Sequence, residues 1–261
     1  GKLIEYIPYP VVLGFTSGIA ISIVATQLNN IFGLVLKSAS GEKMISATGL
    51  VQRLPSHEFF HDNMYETLKN LSHINAWSVL LACITLVAIV FGPKLPLLKR
   101  IPGALIGLIV GTTTAMIFSF PVETISSLFG AVPSNLPAPS LPQISMARVL
   151  ELIRPAFTIA VLIGVEALLS AVVADNLSGD RHEPNRELIT QGAANLLSPI
   201  FGGMPATGVI ARTGANIQNG AQTRVAGFSH AVFVLLIIWL AAPLASQVPM
   251  AVLAAILVVV A

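Results

Sequence analysis

Charged residues are scarce in this sequence, and their scarcity excludes an ordinary soluble domain. Asp, Glu, Lys and Arg make up 10% of the 261 residues, whereas apolar residues make up 54%. Soluble globular domains carry roughly 25% charged residues, so this chain lacks the charge to cover a water-exposed surface. We therefore expect a membrane protein whose main partner is the lipid bilayer.

Cysteine and excess positive charge are also missing. The single cysteine, Cys83, lies in an apolar run, which leaves neither a disulfide framework nor a cysteine-based metal site. The formal net charge of +2 offers nucleic acid no basic patch. His57 and His61 have the i, i+4 spacing of metal ligands, but no third ligand is evident beyond the adjacent Asp62 and Glu66. We expect no metal site, no cofactor and no nucleic-acid partner.

Long uncharged runs mark the membrane helices, because about 20 apolar residues cross a bilayer core of roughly 30 Å. The predicted spans are Pro8–Gln27, Trp77–Phe91, Ile101–Phe118, Pro155–Ala174 and Val225–Ala242, with Met250–Ala261 opening a sixth. The expected fold class is an all-α polytopic membrane protein. Because both ends of the sequence lie close to a span, we expect a piece of a longer transmembrane domain.

Two segments between the spans have a different character. His57–His73 places apolar side chains at helical spacing within a polar sequence, which predicts an interfacial amphipathic helix. Residues 121–154 are predicted to form an extended connector, because small residues there are interrupted by Pro133, Pro137, Pro139 and Pro142.

Small residues recur at every third or fourth position in three of the spans. Helices in lipid associate by close backbone approach, so this spacing predicts helix packing rather than chemistry. The stripes are Gly14 and Gly18; Gly103, Gly107 and Gly111; and Ala160, Gly164, Ala167 and Ala171.

One carboxyl group lies deep inside a predicted span. Glu166 is near the middle of Pro155–Ala174, and Ser170 faces the same side one turn later. A carboxyl at that depth costs a few kcal/mol on insertion scales and is a functional-site candidate. The alternative is a structural Glu that a neighbouring helix satisfies.

A broken helix follows Glu166 along the chain. Glu187, Gln191 and Asn195 line one face of a short helix, and residues 202–208 then interrupt the chain with three glycines and a proline. The next segment, Val209–Gln218, is predicted to be a half-helix of roughly 16–18 Å whose N-terminus lies near the bilayer midplane. Irregular backbone at that depth is tolerated where protein or a water-filled cavity surrounds it.

The half-helix has the properties of an anion site. Its free N–H groups and the positive end of its dipole attract negative charge, and Arg212 adds a full positive charge about one turn inside. Broken helices that meet near the midplane are typical of secondary transporters. A simple kink also uses Gly and Pro, so the prediction depends on Glu166 and Arg212 as well.

These residues resemble the SulP family, the sulfate-permease superfamily of anion transporters. The resemblance is clearest in Gly1–Phe32 and Leu162–Leu244, extends across nearly all 261 residues and is weakest through 37–76 and 121–150. It is greatest to the bacterial branch that includes proton-coupled dicarboxylate uptake proteins. It implies fourteen segments in two inverted seven-helix repeats, divided into a core and a gate domain. Residues 1–261 would then be an incomplete transport domain that lacks N-terminal helices, the last helices and the C-terminal STAS domain.

The resemblance also implies roles for particular residues. Thr207, Gly208, Val209, Ile210 and Ala211 would form the anion-facing turn, with Arg212 beside them, while Glu166 and Ser170 would occupy the ion-coupling positions. A Glu near a basic Arg212 favours proton symport; sodium-coupled symport and anion exchange are the alternatives. The implied substrate is sulfate, bicarbonate or a dicarboxylate, carried across the cytoplasmic (inner) membrane, and the implied assembly of the full-length protein is a homodimer.

Two other functions are alternatives to anion transport. Gln218-Asn219-Gly220 and Thr223-Arg224 resemble the signature of nucleobase transporters, but the spacing is shorter than that signature requires. Glu166 and His230 could serve as acid and base of an intramembrane enzyme, yet no nucleophile elbow, HExxH motif or carboxylate pair accompanies them. The sequence therefore favours a transporter over an enzyme.

Overall fold

The computed structural model describes residues 9–38, 42–55, 60–99, 101–135, 137–218 and 220–260. These residues are mostly helical, and the β contacts among them are isolated bridges. The α-helices are α1 Tyr9–Ile31, α2 Phe60–Lys69, α3 Ala76–Phe91, α4 Gly103–Ile117, α5 Ile125–Phe129, α6 Met146–Ser178, α7 Pro184–Leu197, α8 Ile210–Gln218, α9 Val225–Ser246 and α10 Met250–Val260.

The predicted spans coincide with helices. Within the described residues, Ala76–Lys94, α6 and α9 are long and apolar enough to cross a membrane, while α4 and α10 are apolar but shorter. The first predicted span falls on α1, a helix of 23 residues, although Pro8 lies outside the described residues. The predicted amphipathic helix is α2 followed by a 3-10 turn over Leu71–His73; His57 is also outside the described residues.

The predicted connector over residues 121–154 is wrong in two places. Residues 125–129 form α5, which Thr124 caps by accepting from the main-chain N–H of Ser127. The connector also ends early, because α6 begins at Met146, where the Ser145 side chain accepts from the N–H of Arg148. The helix continues through Pro155, where the span was predicted to start. A proline inside a helix removes one hydrogen-bond donor and crowds the carbonyl four residues earlier, which makes it a typical helix boundary, but here the helix extends on both sides of it.

The chain divides into two compact units, described separately below. One unit comprises residues 13–134 and 237–261, and its core lies where α3, α4 and α10 pack together. Leu81 and Val252 are fully buried there. A Cβ added at Gly111 would lie 2.8 Å from Cγ2 of Val252, and one at Gly107 would lie 2.5 Å from Cγ1 of Ile89. The α4 glycine stripe therefore forms the predicted packing surface.

The other two stripes differ from this one. No described atom lies within 4 Å of a Cβ built at Gly14 or Gly18, so α1 shows no packing contact at these glycines. In α6, a Cβ at Gly164 would lie 3.4 Å from Cδ2 of Leu188 on α7, and Ala167 is buried.

A polar cluster joins the loop before α2 to the loop before α5 in the same unit. Lys43 forms an ion pair with Glu123, whose side chain is only 8% exposed. Ser127 Oγ donates to the other carboxylate oxygen of Glu123 over 2.6 Å. The main-chain carbonyl of Glu123 accepts from the N–H of Met250 at the start of α10. Glu123 thus connects three separate parts of the chain.

The second unit comprises residues 1–12 and 135–236, and it is built around α6, which packs against α7 and α8. The turn between α6 and α7 begins at Gly179, whose φ of +76° favours glycine. Asp175 closes this turn, because its carboxylate accepts from the N–H of His182 over 3.0 Å and contacts Nδ1 of the same residue at 2.7 Å.

Candidate functional site

The half-helix is present, and it is α8. It begins at Ile210 rather than at the predicted Val209, whose carbonyl accepts the first helical hydrogen bond from Thr213 at 3.0 Å. Nine residues rise by about 13 Å, too short to cross a bilayer. The first N–H groups of a helix have no acceptor within it, so those of Ile210, Ala211 and Arg212 are directed beyond its N-terminus.

A hydroxyl pair connects α8 to α6. Ser170 Oγ lies 2.9 Å from Thr213 Oγ1, and Ser170 is only 4% exposed. A Cβ at Gly208 would lie 3.7 Å from Ser170 Oγ, and one at Gly214 would lie 3.6 Å from Cδ1 of Leu177. The structure thus brings together two predicted site residues, Ser170 and Gly208, from different parts of the sequence.

Thr207 is connected to α6 through its side chain. Its hydroxyl donates to the carbonyl oxygen of Ile163 over 3.2 Å. A hydroxyl has one proton to donate, so this hydrogen bond leaves none for an anion. The Thr207 side chain therefore holds the chain just before α8 against α6, and its hydroxyl is not the anion ligand that the sequence suggested.

Two side-chain amides of α7 bind the main chain of Ala206, the residue before Thr207. Asn195 Oδ1 accepts from the N–H of Ala206 at 2.7 Å, and its Nδ2 donates to the carbonyl of Ala206 at 2.8 Å. Gln191 Nε2 donates to the same carbonyl. The predicted spacing correctly placed Gln191 and Asn195 on one face of α7, but no local signal identified Ala206 as their partner.

Glu166 and Arg212 do not form a pair. Glu166 is half-buried on α6, one turn before Ser170, and Arg212 is exposed in the first turn of α8. Within the described part of the chain, neither forms an ion pair, so the expected proximity of the two does not extend to direct contact. Both charges are thus available to ligands or to water.

A groove of about 690 Å³ lies between α6 and α7. Gln191 and Asn195 are the polar side chains that line it, and the remaining lining includes Leu152, Ile159 and Leu188. An anion needs several donors when it leaves water, so this apolar groove does not suit one. The N-terminus of α8 remains the better candidate for an anion site.

Comparison with known proteins identifies the group to which this chain belongs. Residues 1–261 match the sulfate permease family over their whole length. The chain is a member of the sulfate permease family. Its relatives include the putative sulfate transporter YvdB of Bacillus subtilis, which is 41% identical over 100% of this chain and 46% of its own length. The bicarbonate transporter BicA of a Picosynechococcus species is 36% identical over 98% of this chain and 42% of its own length.

A solved structure confirms the fold. The transmembrane domain of a cyanobacterial bicarbonate transporter BicA superimposes with a TM-score of 0.78 and 31% identity, covering 99% of this chain and 61% of that one. This member of the sulfate permease family therefore has part of the seven-plus-seven inverted-repeat fold, and it is a multi-pass membrane protein. Its family consists of transporters, not enzymes, as the sequence predicted. The chain spans less than half the length of these two curated relatives.

Proposed function

We propose that the protein containing this chain carries a small anion across the cytoplasmic membrane by secondary transport, and that the anion binds at the N-terminus of α8. The observation that carries the proposal is a broken helix whose first turn presents free N–H groups together with the exposed cation Arg212. The anion-facing residues would be Thr207 to Ala211 through their main chain and Arg212 through its side chain.

The position of Arg212 supports this proposal on electrostatic grounds. The N-terminus of a helix carries about half a positive charge, so a cation in the first turn is unfavourable there. An anion bound at the same place offsets this repulsion, because it is attracted by both the dipole and the guanidinium. At 4 Å and an effective dielectric near 20, that guanidinium would attract an anion by about 4 kcal/mol before desolvation is subtracted.

Glu166 supports a coupled mechanism, and we propose proton symport. Its carboxyl lies one turn from Ser170, which contacts α8 through Thr213. Proton uptake by a carboxyl in an apolar span removes a charge that is expensive at that depth. Alternating access that moves Glu166 relative to water would load a proton on one side and release it on the other. Sodium-coupled symport and anion exchange are the alternatives for the same site.

The substrate class includes sulfate, bicarbonate and dicarboxylates. A site built from main-chain N–H groups recognises negative charge and size rather than one chemical group. Relatives named as sulfate and bicarbonate transporters support this range. We further propose that residues 1–261 are one part of a transport domain whose other helices complete the site, and that the full-length protein is a homodimer with a STAS domain.

Uptake into vesicles tests the proposal. Full-length protein would be reconstituted in sealed proteoliposomes, and entry of labelled sulfate, bicarbonate and a dicarboxylate measured under an imposed proton gradient, an imposed sodium gradient or neither. We expect at least one anion to accumulate when the outside is acidic. The same vesicles made leaky with detergent are the control, because a transporter needs a sealed compartment and an enzyme does not. No uptake of any of the three anions would refute the proposal.

A further inference from the structure

We infer that Asn195 and Gln191 are positioning residues for the anion: they fix the main chain at Ala206 and thereby set the direction of the N–H groups at the N-terminus of α8. This inference rests on the function proposed above, because it concerns the affinity of that same anion site. We refer to the two residues as the amide pair.

The hydrogen bonds of the amide pair satisfy both main-chain polar groups of one residue. Asn195 accepts from the N–H of Ala206 and donates to its carbonyl, as a neighbouring strand would. Gln191 supplies a second donor to the same carbonyl. Asn195 Nδ2 also lies 3.0 Å from the carbonyl of Gln191, which limits the rotation of its side chain on α7.

This arrangement matters because the chain before α8 has no regular structure to hold it. No helix or strand includes residues 203–209. Ala206 is held from α7 by the amide pair, and Thr207 is held from α6 by its hydrogen bond to Ile163. The entry into α8 is thus fixed on two sides.

Fixing this entry raises anion affinity by preorganisation. An anion at a helix N-terminus is bound by main-chain N–H groups, whose direction depends on the backbone just before the helix. If Ala206 were free to move, those groups would have to be ordered when the anion binds, and the ordering would cost affinity.

A side-chain amide provides a donor and an acceptor in one plane, which matches the N–H and the carbonyl of Ala206. Asn195→Leu preserves size but removes both hydrogen bonds. Asn195→Asp retains an acceptor for the N–H, places a carboxylate oxygen against the carbonyl of Ala206, and adds a negative charge near the anion. The expected order of anion affinity is therefore wild type, then Asn195→Leu, then Asn195→Asp.

The test measures KM and maximal rate separately. Full-length variants would be reconstituted in proteoliposomes and supplied with labelled sulfate and with bicarbonate, with rates expressed per correctly folded transporter. We expect Asn195→Leu to raise KM by about tenfold, Asn195→Asp by more, and Gln191→Leu by less, because the Asn195 bonds remain. The maximal rate per folded transporter should change little. A merely structural role would reduce the amount of folded protein and leave KM unchanged.

Two further measurements make the result decisive. Asn185→Asp places the same charge on an exposed position of α7, and its KM should stay within about twofold of wild type. Hydrogen exchange at the amide of Ala206 should accelerate in Asn195→Leu and not in Asn185→Asp.

The outcomes separate this inference from the proposed function. Suppose that the wild-type protein transports but that Asn195→Leu leaves either KM or hydrogen exchange at Ala206 unchanged. That result would overturn the inference and leave the proposed function standing. Wild type that takes up neither sulfate nor bicarbonate would overturn the role assigned to Asn195; the proposed function would fall only if the dicarboxylate also gave no uptake.

Discussion

Replacing Arg212 with alanine tests two opposite effects of its charge: the charge destabilises the N-terminus of α8 and raises the affinity for an anion. Arg212 is exposed in the first turn of α8 and forms no ion pair within the described residues. Its removal therefore leaves no buried partner uncompensated. A cation at the positive end of a helix is unfavourable by about 0.3–1 kcal/mol, so the variant should be equally stable or slightly more stable.

The expected effect on the anion has the opposite sign. A hydrogen bond to a charged group contributes about 1.5–3 kcal/mol, which corresponds to a rise in KM of roughly 10- to 150-fold. Arg212→Lys keeps the charge and loses the planar pair of donors, so it should recover part of the affinity. The Coulomb attraction at 4 Å is larger than these values, and desolvation of the anion offsets the difference.

The assay combines initial uptake rates over a range of anion concentrations with thermal unfolding in the same detergent and lipid. Arg186→Ala is the matched control, because it removes an exposed arginine from the first turn of α7. A folded Arg212→Ala protein with the KM of wild type would refute the electrostatic reasoning. So would a large loss of thermal stability, which would assign Arg212 a structural contact instead.

Substitutions at three other positions test separate parts of the structure. Gly208→Ala should retain transport, because the added Cβ lies at an ordinary 3.7 Å from Ser170 Oγ, whereas the larger Gly208→Val should abolish uptake without preventing membrane insertion. Glu166→Gln imitates a permanently protonated carboxyl, so it should still exchange anion across the membrane but fail to accumulate it under a pH gradient. Lys43→Met should lower the free energy of unfolding by about 1–3 kcal/mol in denaturant titrations, because Glu123 would remain buried without its cation.

Each of these predictions has its own control. Normal uptake by Gly208→Val would place the anion elsewhere. Glu183→Gln removes an exposed carboxyl just before α7 and should behave as wild type; accumulation by Glu166→Gln under a pH gradient would rule out Glu166 as the coupling group. Adding Glu123→Gln to Lys43→Met should restore part of the lost stability, and a double variant no more stable than the single one would contradict the pairing argument.

Local sequence patterns determined the helices and the break between them. Apolar runs placed α3, α4 and α9 to within a few residues, because lipid requires an uncharged helix of known length. Glycines and a proline marked the break before α8 for the same local reason. The predicted start of α6 was wrong because the end of a helix depends on its cap. The helix was expected to begin at Pro155, but Ser145 caps it and it begins nine residues earlier, at Met146.

The tertiary structure decided how the candidate site is held together. Helical spacing put Gln191 and Asn195 on one face of α7, but it could not identify Ala206 as the residue they bind. Likewise, a threonine beside an expected anion site suggests a ligand, yet packing against α6 directs the Thr207 hydroxyl to Ile163. These contacts join residues far apart in the sequence, and their geometry depends on how α6, α7 and α8 pack.

For Glu166 and Arg212, too, the sequence predicts where each charge lies and the tertiary structure decides whether the two form a pair. The sequence alone predicted that Glu166 and Arg212 lie at membrane depth, because a long uncharged run surrounds Glu166 and the half-helix that carries Arg212 is too short to cross a bilayer. Whether the two charges neutralise each other depends on the distance between them, which the packing of α8 against α6 decides. Since neither forms an ion pair with another described residue, we propose separate roles for them: Arg212 for the anion and Glu166 for the proton.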